Sequence, residues 1–358
     1  MADQEIACPN CGDLTRLTKD DGPIIRIPKK QTREHTPAAE SSTAVQALGQ
    51  RILDNVEKVI VGKAPSIQLA LVAWLSEGHV LLEDVPGTAK TMLARALARS
   101  VGCTFKRIQC TPDLLPGEIT GVSVFNPQTT QFEFRPGPVF AQIVLADEVN
   151  RATPRAQSAF LEAMAERRVS VDGVDHPLEP PFFVIATQNP IDHEGTFPLP
   201  EAQLDRFLVR MTLGYPGLKD EDAMLERIQK QHPIDELGPV ATAAELLAAQ
   251  AAVKETMVHP LVRDYIVRLV HATREHASVR LGASPRASAA IMRASQAYAA
   301  LQGFDYVLPD DIKEVAPHIL GHRLIIQPES RLRKITAGEV IREILHRVEV
   351  PVLPEKRI

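Results

Sequence analysis

The sequence has few cysteines and no long apolar run. Its 358 residues include four cysteines, too few for a disulfide framework, and we expect Cys103 and Cys110 to be reduced thiols. The longest apolar run, residues 69–75, is far shorter than the ~20 residues that a membrane helix requires. Asp3 and Glu5 stand where a signal peptide has its basic start. The sequence therefore predicts a cytoplasmic protein without a transmembrane segment.

The sequence also lacks a basic excess and is poor in aromatic residues. Forty Lys and Arg residues against 45 Asp and Glu residues leave a formal net charge of -5, which gives no general affinity for phosphate backbones or anionic membranes. Aromatic residues make up only 4%, which argues against base-stacking surfaces. We therefore expect no nucleic-acid partner. The hydrophobic fraction of 44% is that of a globular protein.

The hydrophobic pattern divides the chain into three parts. Residues 1–43 are rich in Pro, Ser, Thr and charge with little periodicity, which indicates a flexible extension. Between 44 and 216, short apolar runs alternate with helical stretches, which predicts an α/β domain with a mainly parallel sheet flanked by helices. The apolar runs are 79–83, 105–110, 142–146, 182–187 and 207–212. From 217 to 358 the strand signals stop, and we expect a smaller all-α domain.

Helical signals are clearest at two places in this third part. Apolar residues at 3.6-residue spacing predict a helix through residues 261–270, with Leu261 and Tyr265 on its buried face. A second helix is predicted to begin at Ser284-Pro285, with Ser284 as N-cap and Pro285 at the first helical position.

A predicted strand, a loop and a helix follow one another around Lys90-Thr91. Backbone N–H groups near Gly87 and the positive end of the helix can cradle phosphates, while Lys90 can reach the β and γ oxygens and Thr91 can bind Mg²⁺. The strict pattern G-x-x-x-x-G-K-[ST] is not met, because Asp84 and Ala89 stand at its glycine positions. Asp tolerates positive φ better than most residues, which would let Asp84 replace the first glycine. The alternative for this segment alone is an ordinary turn with a solvated lysine.

Two later strands end in polar residues. An apolar run ends at Asp147 and Glu148, of which the first can hold Mg²⁺ and the second can orient and activate a water. The next strand delivers Asn189 to the same edge, where ligands bind in open α/β sheets, and its amide could contact the γ-phosphate or the attacking water. The alternatives are a solvated strand end for the carboxylates and a simple turn for Asn189 before Pro190.

Three arginines are further candidates. Arg206 stands at a predicted helix-to-strand corner, where the alternative is a surface cap or salt bridge. Arg286 adds a cation to the positive end of a helix, which a bound anion would relieve. Arg151, shortly after Asp147-Glu148, fits an interface arginine and a structural role equally well.

Longer strings around these residues resemble the MoxR family of AAA+ ATPases, in the helix 2 insert clade. The strings are 82–91 (LEDVPGTAKT), 111–117 (TPDLLPG), 134–140 (FRPGPVF), 145–152 (LADEVNRA), 186–190 (ATQNP), 200–207 (PEAQLDRF) and 282–286 (GASPR). The resemblance covers about 45 to 350. It implies an AAA+ P-loop core followed by a smaller all-α lid, and a homo-oligomeric ring, typically of six subunits, with ATP and Mg²⁺ held between neighbours.

The resemblance also implies roles for individual residues. The catalytic group is Glu148, with Asn189 as sensor 1, Arg206 as the arginine finger and Arg286 as sensor 2. Mg²⁺ would be held through Thr91 and Asp147. The nucleotide-binding residues would be Val61 and Gly62 against the base, and Pro86, Gly87, Thr88, Ala89, Lys90, Thr91 and Met92 at the phosphates.

Two predicted hairpins accompany the core. Residues 111–140 resemble the helix 2 insert, with strands at 122–126 and 131–134, and residues 168–178 carry an Asp172-Gly173 turn signal. Both hairpins could face the ring axis or a substrate, and the alternative is that they are architectural loops.

The N-terminal extension holds a Cys8-x-x-Cys11 pair with the spacing of a zinc knuckle. A structural zinc site requires four ligands, so the pair supplies at most half of one, with His35 as a remote further candidate. The alternative is a flexible tail without metal.

The resemblance implies an ATPase that remodels or matures a client protein, including metal or cofactor insertion, with a von Willebrand factor A domain protein as partner. The alternatives are a nucleotide-dependent assembly scaffold with little turnover, and a chelatase-like or DNA-acting AAA+ motor. The net negative charge and the few aromatic residues argue against DNA.

Overall fold

The computed structural model describes residues 5–7, 14–16, 40–85, 87–189, 196–229 and 232–352. The chain forms two compact units, residues 1–35 and 36–358. In the first, the described strands β1 (Glu5–Ala7) and β2 (Leu14–Arg16) pair antiparallel. The predicted zinc ligands Cys8, Cys11 and His35 lie outside the described residues, as does Pro86 of the predicted phosphate loop.

Five strands of the second unit form one parallel sheet. Across the sheet they are β11 (Val209–Met211), β3 (Val80–Glu83), β10 (Phe183–Gln188), β7 (Ile143–Asp147) and β4 (Phe105–Gln109), and every neighbouring pair is parallel. The five predicted apolar runs are these five strands, so the α/β prediction is confirmed.

The two faces of the sheet bury separate hydrophobic clusters. Phe183 and Ile185 on β10 belong to one cluster, whereas Val184 and Ala186 belong to the other. This alternation follows from the two-residue period of a strand, and its apolar residues on both faces are typical of a parallel sheet covered by helices. On the first face, Trp74 stacks on Phe183 with ring centroids 5.3 Å apart.

Helices precede the first strand of the sheet and follow the strands of the core. They are α1 (Glu40–Glu57), α2 (Ala64–Leu75), α3 (Lys90–Val101), α4 (Pro116–Thr120), α5 (Pro154–Glu166) and α6 (Glu201–Leu204). Short 3₁₀ turns occupy Pro138–Phe140 and Val149–Arg151.

Both predicted hairpins are present. The first pairs β5 (Gly121–Asn126) with β6 (Gln131–Pro136), and the second pairs β8 (Arg168–Val171) with β9 (Val174–Pro177). Asp172 and Gly173 both have positive φ, as the favoured two-residue hairpin turn requires. An exposed ring pair, Phe125 and Phe132, faces across the first hairpin with centroids 5.4 Å apart.

The C-terminal region, called the lid below, is mainly helical. Its helices are α7 (Leu218–Ile228), α8 (Pro233–Glu236), α9 (Ala243–Lys254), α10 (Pro260–Glu275), α11 (Pro285–Leu301), α12 (Pro309–Leu320), α13 (Pro328–Leu332) and α14 (Ala337–Arg347). The sequence did not predict the short antiparallel pair β12 (Val279–Leu281) and β13 (Ile325–Ile326), because strands of three and two residues are too short for a periodic signal. None of the described helices is long and apolar enough to cross a membrane.

Two details of the predicted lid helices differ. The helix through 261–270 is present and Tyr265 is buried, but Leu261 is 42% exposed because it lies in the first turn, off the packed face. Helix α11 begins at Pro285 as predicted, yet Ser284 makes no side-chain cap. Its hydroxyl instead donates to Asp205 Oδ2 at 3.3 Å, which joins the lid to the core.

Candidate functional site

The loop between β3 and α3 contains the predicted phosphate-binding residues. Helix α3 begins at Lys90, directly after Ala89, whose φ of 61° is left-handed, and Gly87 has a φ of 86°. Thr88 Oγ1 donates to Val85 O at 3.1 Å, and Lys90 Nζ donates to Asp84 O at 2.7 Å. The lysine thus lies over a loop that precedes the positive end of a helix, which is an arrangement suited to an anion.

Thr91 and Met92 follow in the first turn of α3. Both are partly exposed, and Met92 also packs against the core cluster on the first face of the sheet.

Asp84, which departs from the strict motif, has a defined structural role. It is buried, and its carboxylate accepts hydrogen bonds from three backbone N–H groups, those of Val85 (3.0 Å), Leu213 (2.7 Å) and Gly214 (2.7 Å). Asp84 is not among the described residues with positive φ, so the expected reason for its tolerance is wrong. The carboxylate instead ties the loop to the segment that leads from β11 to the lid.

Asp147 and Glu148 lie at the end of β7, as the sequence predicts. Asp147 Oδ1 accepts from Thr187 Oγ1 at 2.6 Å, and Asp147 Oδ2 accepts from Arg107 Nε (3.1 Å) and Arg107 NH2 (2.5 Å). The sequence patterns gave neither Arg107 nor Thr187 a role. Arg107 lies outside the recognised strings, Thr187 lies within 186–190 without a recognised function, and both approach Asp147 from neighbouring strands.

Glu148 is oriented by its own backbone and by two side chains. Its φ is 57°, and its N–H donates to Thr187 Oγ1 at 2.8 Å. Its Oε2 accepts from Arg151 NH1 at 3.0 Å and from Gln109 Nε2 at 3.4 Å. Arg151 is therefore a neighbour of Glu148 in the same chain.

A buried thiol lies against this pair of carboxylates. Burial, followed by the charges of Asp147 and Glu148, raises the pKa of Cys110 to about 12, so the thiol is neutral at physiological pH. Cys103 and Cys110 are both free, as the sequence predicts.

The end of β10 completes this edge of the sheet. Asn189 is buried directly after the strand, and Gln188 lies opposite Glu83 in the register of β10 and β3. Asp84 N–H donates to Gln188 O at 3.2 Å, which places the start of the phosphate loop beside Asn189. The ends of β3, β7 and β10 therefore bring Lys90, Asp147, Glu148 and Asn189 to one edge, called the carboxyl edge below.

The predicted base-binding residues lie in the turn between α1 and α2. Gly62 has a φ of 70°, and a Cβ there would lie 2.3 Å from the carboxyl carbon of Asp220 on α7. The adjacent Lys63 Nζ donates to Tyr215 O at 2.8 Å. The segment 213–215 therefore contacts both Asp84 and the turn that contains Val61 and Gly62.

Arg206 and Arg286 lie elsewhere. Arg206 NH1 donates to Leu161 O at 2.7 Å, and Arg286 NH1 is 3.9 Å from Asp205 Oδ2. Both arginines line a cleft of about 350 Å³ that also includes His79. Among the described residues, neither forms a hydrogen bond or ion pair with the phosphate loop or the carboxylates of the other edge.

This cleft lies at the opposite, amino edge of the sheet. His79 directly precedes β3, and Leu208 N–H donates to His79 O just before β11. Strand β3 has four residues, and at about 3.3 Å per residue it separates the two edges by about 13 Å. The structure thus brings the predicted site residues together in two groups, one at each edge.

No group of three or more His, Cys, Asp or Glu residues in the described part of the chain could hold a metal ion. The candidate Mg²⁺ ligands are therefore the Asp147 carboxylate and the Thr91 hydroxyl. Cys8 and Cys11 lie outside the described residues.

Known protein families and relatives match most of the chain. Residues 79–209 match the ATPase family associated with various cellular activities (AAA), and residues 271–344 match the AAA lid domain. The chain is 51% identical over 302 residues to protein YeaC of Bacillus subtilis, which covers 84% of this chain and 94% of the relative. It is 42% identical over 311 residues to Chaperone MoxR1 of Mycobacterium tuberculosis, which covers 84% and 82%.

A solved structure shows the same fold. The crystal structure of a candidate ATPase from Cytophaga hutchinsonii has a TM-score of 0.82 and 38% identity, and the match covers 87% of this chain and 98% of that one. Because core and lid both match, and relatives named MoxR align over most of their length, the chain belongs to the MoxR family of AAA+ ATPases.

Proposed function

We propose that this protein hydrolyses ATP with Mg²⁺ at sites shared between neighbouring subunits of a ring, and that the cycle remodels or matures a client protein. One observation supports the shared site above the others. Arg206 and Arg286 lie at the amino edge of the sheet, about 13 Å from the carboxyl edge that carries Lys90 and Glu148. A single chain therefore presents the two halves of a phosphoryl-transfer site on opposite sides, and a neighbour is needed to join them.

The carboxyl edge has the chemistry that ATP and Mg²⁺ require. The loop around Gly87 precedes a helix N-terminus, and Lys90 supplies a cation for the β and γ phosphates. Asp147 and Thr91 supply the hard oxygen ligands that Mg²⁺ prefers. When bound, Mg²⁺ neutralises charge that develops on the transferred phosphoryl group.

Glu148 is the group that we assign to the attacking water. Its backbone N–H donates to Thr187 Oγ1, which also donates to Asp147, so the Glu148 backbone is fixed relative to the Asp147 carboxylate. Asn189 hydrogen-bonds the γ-phosphate or the water from the end of the next strand. Val61 and Gly62 contact the base, next to the segment 213–215 that Asp84 anchors.

The two arginines at the amino edge act on the nucleotide of the neighbouring subunit in this proposal. Arg206 offsets charge on the transferred phosphoryl group, and Arg286 lies beside it through Asp205. Arg151 is not needed as an interface arginine, because it bonds Glu148 of its own chain.

The client and partner rest on the family. The relative MoxR1 is named a chaperone, which supports work on a protein client. The family resemblance implies a von Willebrand factor A domain protein as partner. The exposed aromatic pair Phe125 and Phe132 is a candidate contact for such a client. The family resemblance implies a ring of six subunits.

A mixing experiment tests the shared site. An Arg206→Ala subunit keeps its phosphate loop and Glu148 but cannot complete its neighbour's site, so its homo-oligomer should bind ATP and turn over slowly. A Glu148→Gln subunit has the converse defect. Under subunit exchange, phosphate release by the mixture should exceed the sum of the parents, since an arginine finger contributes about 10³–10⁵ in rate.

The matched control is Arg263→Ala, an exposed arginine on the lid helix α10. This variant should retain turnover, and its mixture with Glu148→Gln should show only dilution. If a tag on one variant confirms co-assembly and the Arg206→Ala mixture still shows no recovery, Arg206 does not act on a neighbour's nucleotide.

A further inference from the structure

The arginine finger segment is held by a buried arginine of the lid. Arg323 follows α12, and its side chain is 3% exposed. Its Nε donates to Asp205 Oδ1 at 2.6 Å, and its NH2 donates to Asp205 O at 3.1 Å and Phe207 O at 2.7 Å. Its NH1 donates to Leu208 O at 3.3 Å. Arg323 thus bonds residues on both sides of Arg206, and residues 205–208 are called the finger segment below.

Other lid residues bond the same segment. His322 Nε2 donates to Phe207 O at 3.0 Å, and Ser284 Oγ donates to Asp205 Oδ2 at 3.3 Å. Arg323 NH1 also donates to Ile319 O within the lid. The Arg323 guanidinium therefore bonds both α12 and the finger segment, and so joins the two.

A buried guanidinium holds its neighbours in a narrow range of orientations. It is planar with five donors in a fixed fork, and a buried charge is tolerated only where those donors are satisfied. Four of its five bonds go to residues 205–208. A rotation of the lid relative to the sheet must therefore either break these bonds or carry the finger segment with it.

We propose that Arg323 is a positioning residue that aligns Arg206 from the lid, so that the orientation of one subunit's lid controls the site completed in its neighbour. This inference rests on the proposed role of Arg206 at a shared site. It adds a route for the coupling: Asp84 at the phosphate loop bonds residues 213 and 214 in the segment that leads from β11 to the lid, and Arg323, which follows α12, bonds the finger segment. The lid is thus connected to both edges of the sheet.

The test replaces the planar guanidinium of Arg323 by a lysine ammonium, which keeps the positive charge. Arg323→Lys should bind ATP within a few-fold of the wild type in calorimetry, because the phosphate loop lies at the other edge. Its kcat should fall by about 10²-fold, the cost of misplacing a catalytic group by about 1 Å. In an Arg206→Ala background the same change should cause no further loss, since the group that Arg323 positions is already absent.

Subunit mixing gives a second readout that a general loss of stability would not produce. Arg323→Lys subunits mixed with Glu148→Gln subunits should recover activity, as Arg206→Ala subunits do, because the Glu148→Gln neighbour supplies a well-placed finger. A defect in the subunit's own site would not be rescued in this way.

The matched control is Arg210→Lys. Arg210 also joins core to lid, by donating to Gly321 O at 3.0 Å and pairing with Glu83, but it makes no bond to residues 205–208. It should leave kcat within a few-fold of the wild type. If Arg323→Lys does not fold, Asp205→Asn removes the carboxylate charge that faces the same guanidinium and should give the same pattern.

Two outcomes overturn the inference and a third separates it from the proposed function. Equal losses from Arg323→Lys in the wild-type and Arg206→Ala backgrounds would show that Arg323 does not act through Arg206. Absence of recovery with Glu148→Gln would show the same. If Arg206→Ala alone retains wild-type turnover, the shared site itself is wrong, and the role of Arg323 falls with it.

Discussion

The two edges of the sheet are built in different ways. At the carboxyl edge, Lys90, Asp147 and Glu148 follow directly on the strands or loops that place them. Thr187 of the adjacent strand bonds Asp147 and Glu148, and Asp84 at the start of the same loop bonds Lys90. At the amino edge, Arg323 of the lid bonds the segment that contains Arg206, and Arg286 of the lid lies near Asp205 of the core. Strand partners fix the first arrangement, and Asp84 links its loop to the segment that leads to the lid, whereas a lid side chain bonds the second arrangement directly. In the proposed ring, the lid therefore acts more directly on the amino-edge half of the shared site than on the carboxyl-edge half.

The largest expected effect is the loss of ATP binding, and it should come from the carboxyl edge, where substitutions should separate binding from turnover. Lys90→Ala should abolish ATP binding, because it removes the cation at the phosphates. Glu148→Gln should keep binding and lower turnover by about 10²–10⁴, the range of general acid–base catalysis. Calorimetry and phosphate release measure the two effects. Normal turnover in Glu148→Gln would contradict the role of that carboxylate and remove the distinction between the edges.

Local motifs predicted the carboxyl edge better than the amino edge. The five strands, the phosphate loop and the Asp147-Glu148 pair follow from short stretches of sequence, since strand period and turn chemistry are local properties. The partners of Asp84 lie about 130 residues away in the chain, and those of Arg323 about 115. No periodicity links residues that far apart. Sequence motifs therefore indicate Arg206 but give no signal for Arg323, which bonds the residues on either side of it.

The long-range bonds of Asp84 give the next prediction. Asp84→Gly restores the first glycine of the strict motif, yet it should destabilise the protein by about 3 kcal/mol, because three backbone N–H groups lose a buried charged acceptor. Thermal or urea unfolding measures the loss. Hydrogen exchange of the backbone amides of residues 213 and 214 should also accelerate. This would show that the phosphate loop has been uncoupled from the segment that leads to the lid.

Asp84→Asn serves as the matched variant. Its amide keeps the size of the side chain and one oxygen acceptor. Its free energy of unfolding should therefore lie between those of the wild type and Asp84→Gly. If Asp84→Gly is as stable as the wild type, the bonds to residues 213 and 214 contribute nothing, and the phosphate loop is not tied to the lid.

The smallest predicted effect is loss of stability in acid, and it should originate at the amino edge. His79 is buried there; its Nδ1 accepts from Val184 N–H at 3.1 Å, so its Nε2 carries the hydrogen and donates to Met164 O. Burial, with a smaller contribution from Arg167, lowers the pKa of His79 to about 4. Burial and the charge of Arg323 also lower the pKa of His322, which bonds the finger segment.

The sign of the pH dependence follows from these shifts. An unfolded histidine has a pKa of about 6.5, so between about pH 6.5 and 4 the unfolded chain binds a proton at position 79 that the folded chain does not. The free energy of unfolding should therefore fall as the pH is lowered through this window, by about 2 kcal/mol from His79 between pH 7 and 5.

Urea unfolding of the wild type and of His79→Gln at both pH values measures this loss of stability. The variant should be less stable at pH 7 but lose less on acidification, because only His322 then remains of the pair. The exposed His271→Gln should lose as much as the wild type. Equal losses in wild type and His79→Gln would show that the acid sensitivity arises elsewhere, and the amino edge would no longer differ from the carboxyl edge in this respect.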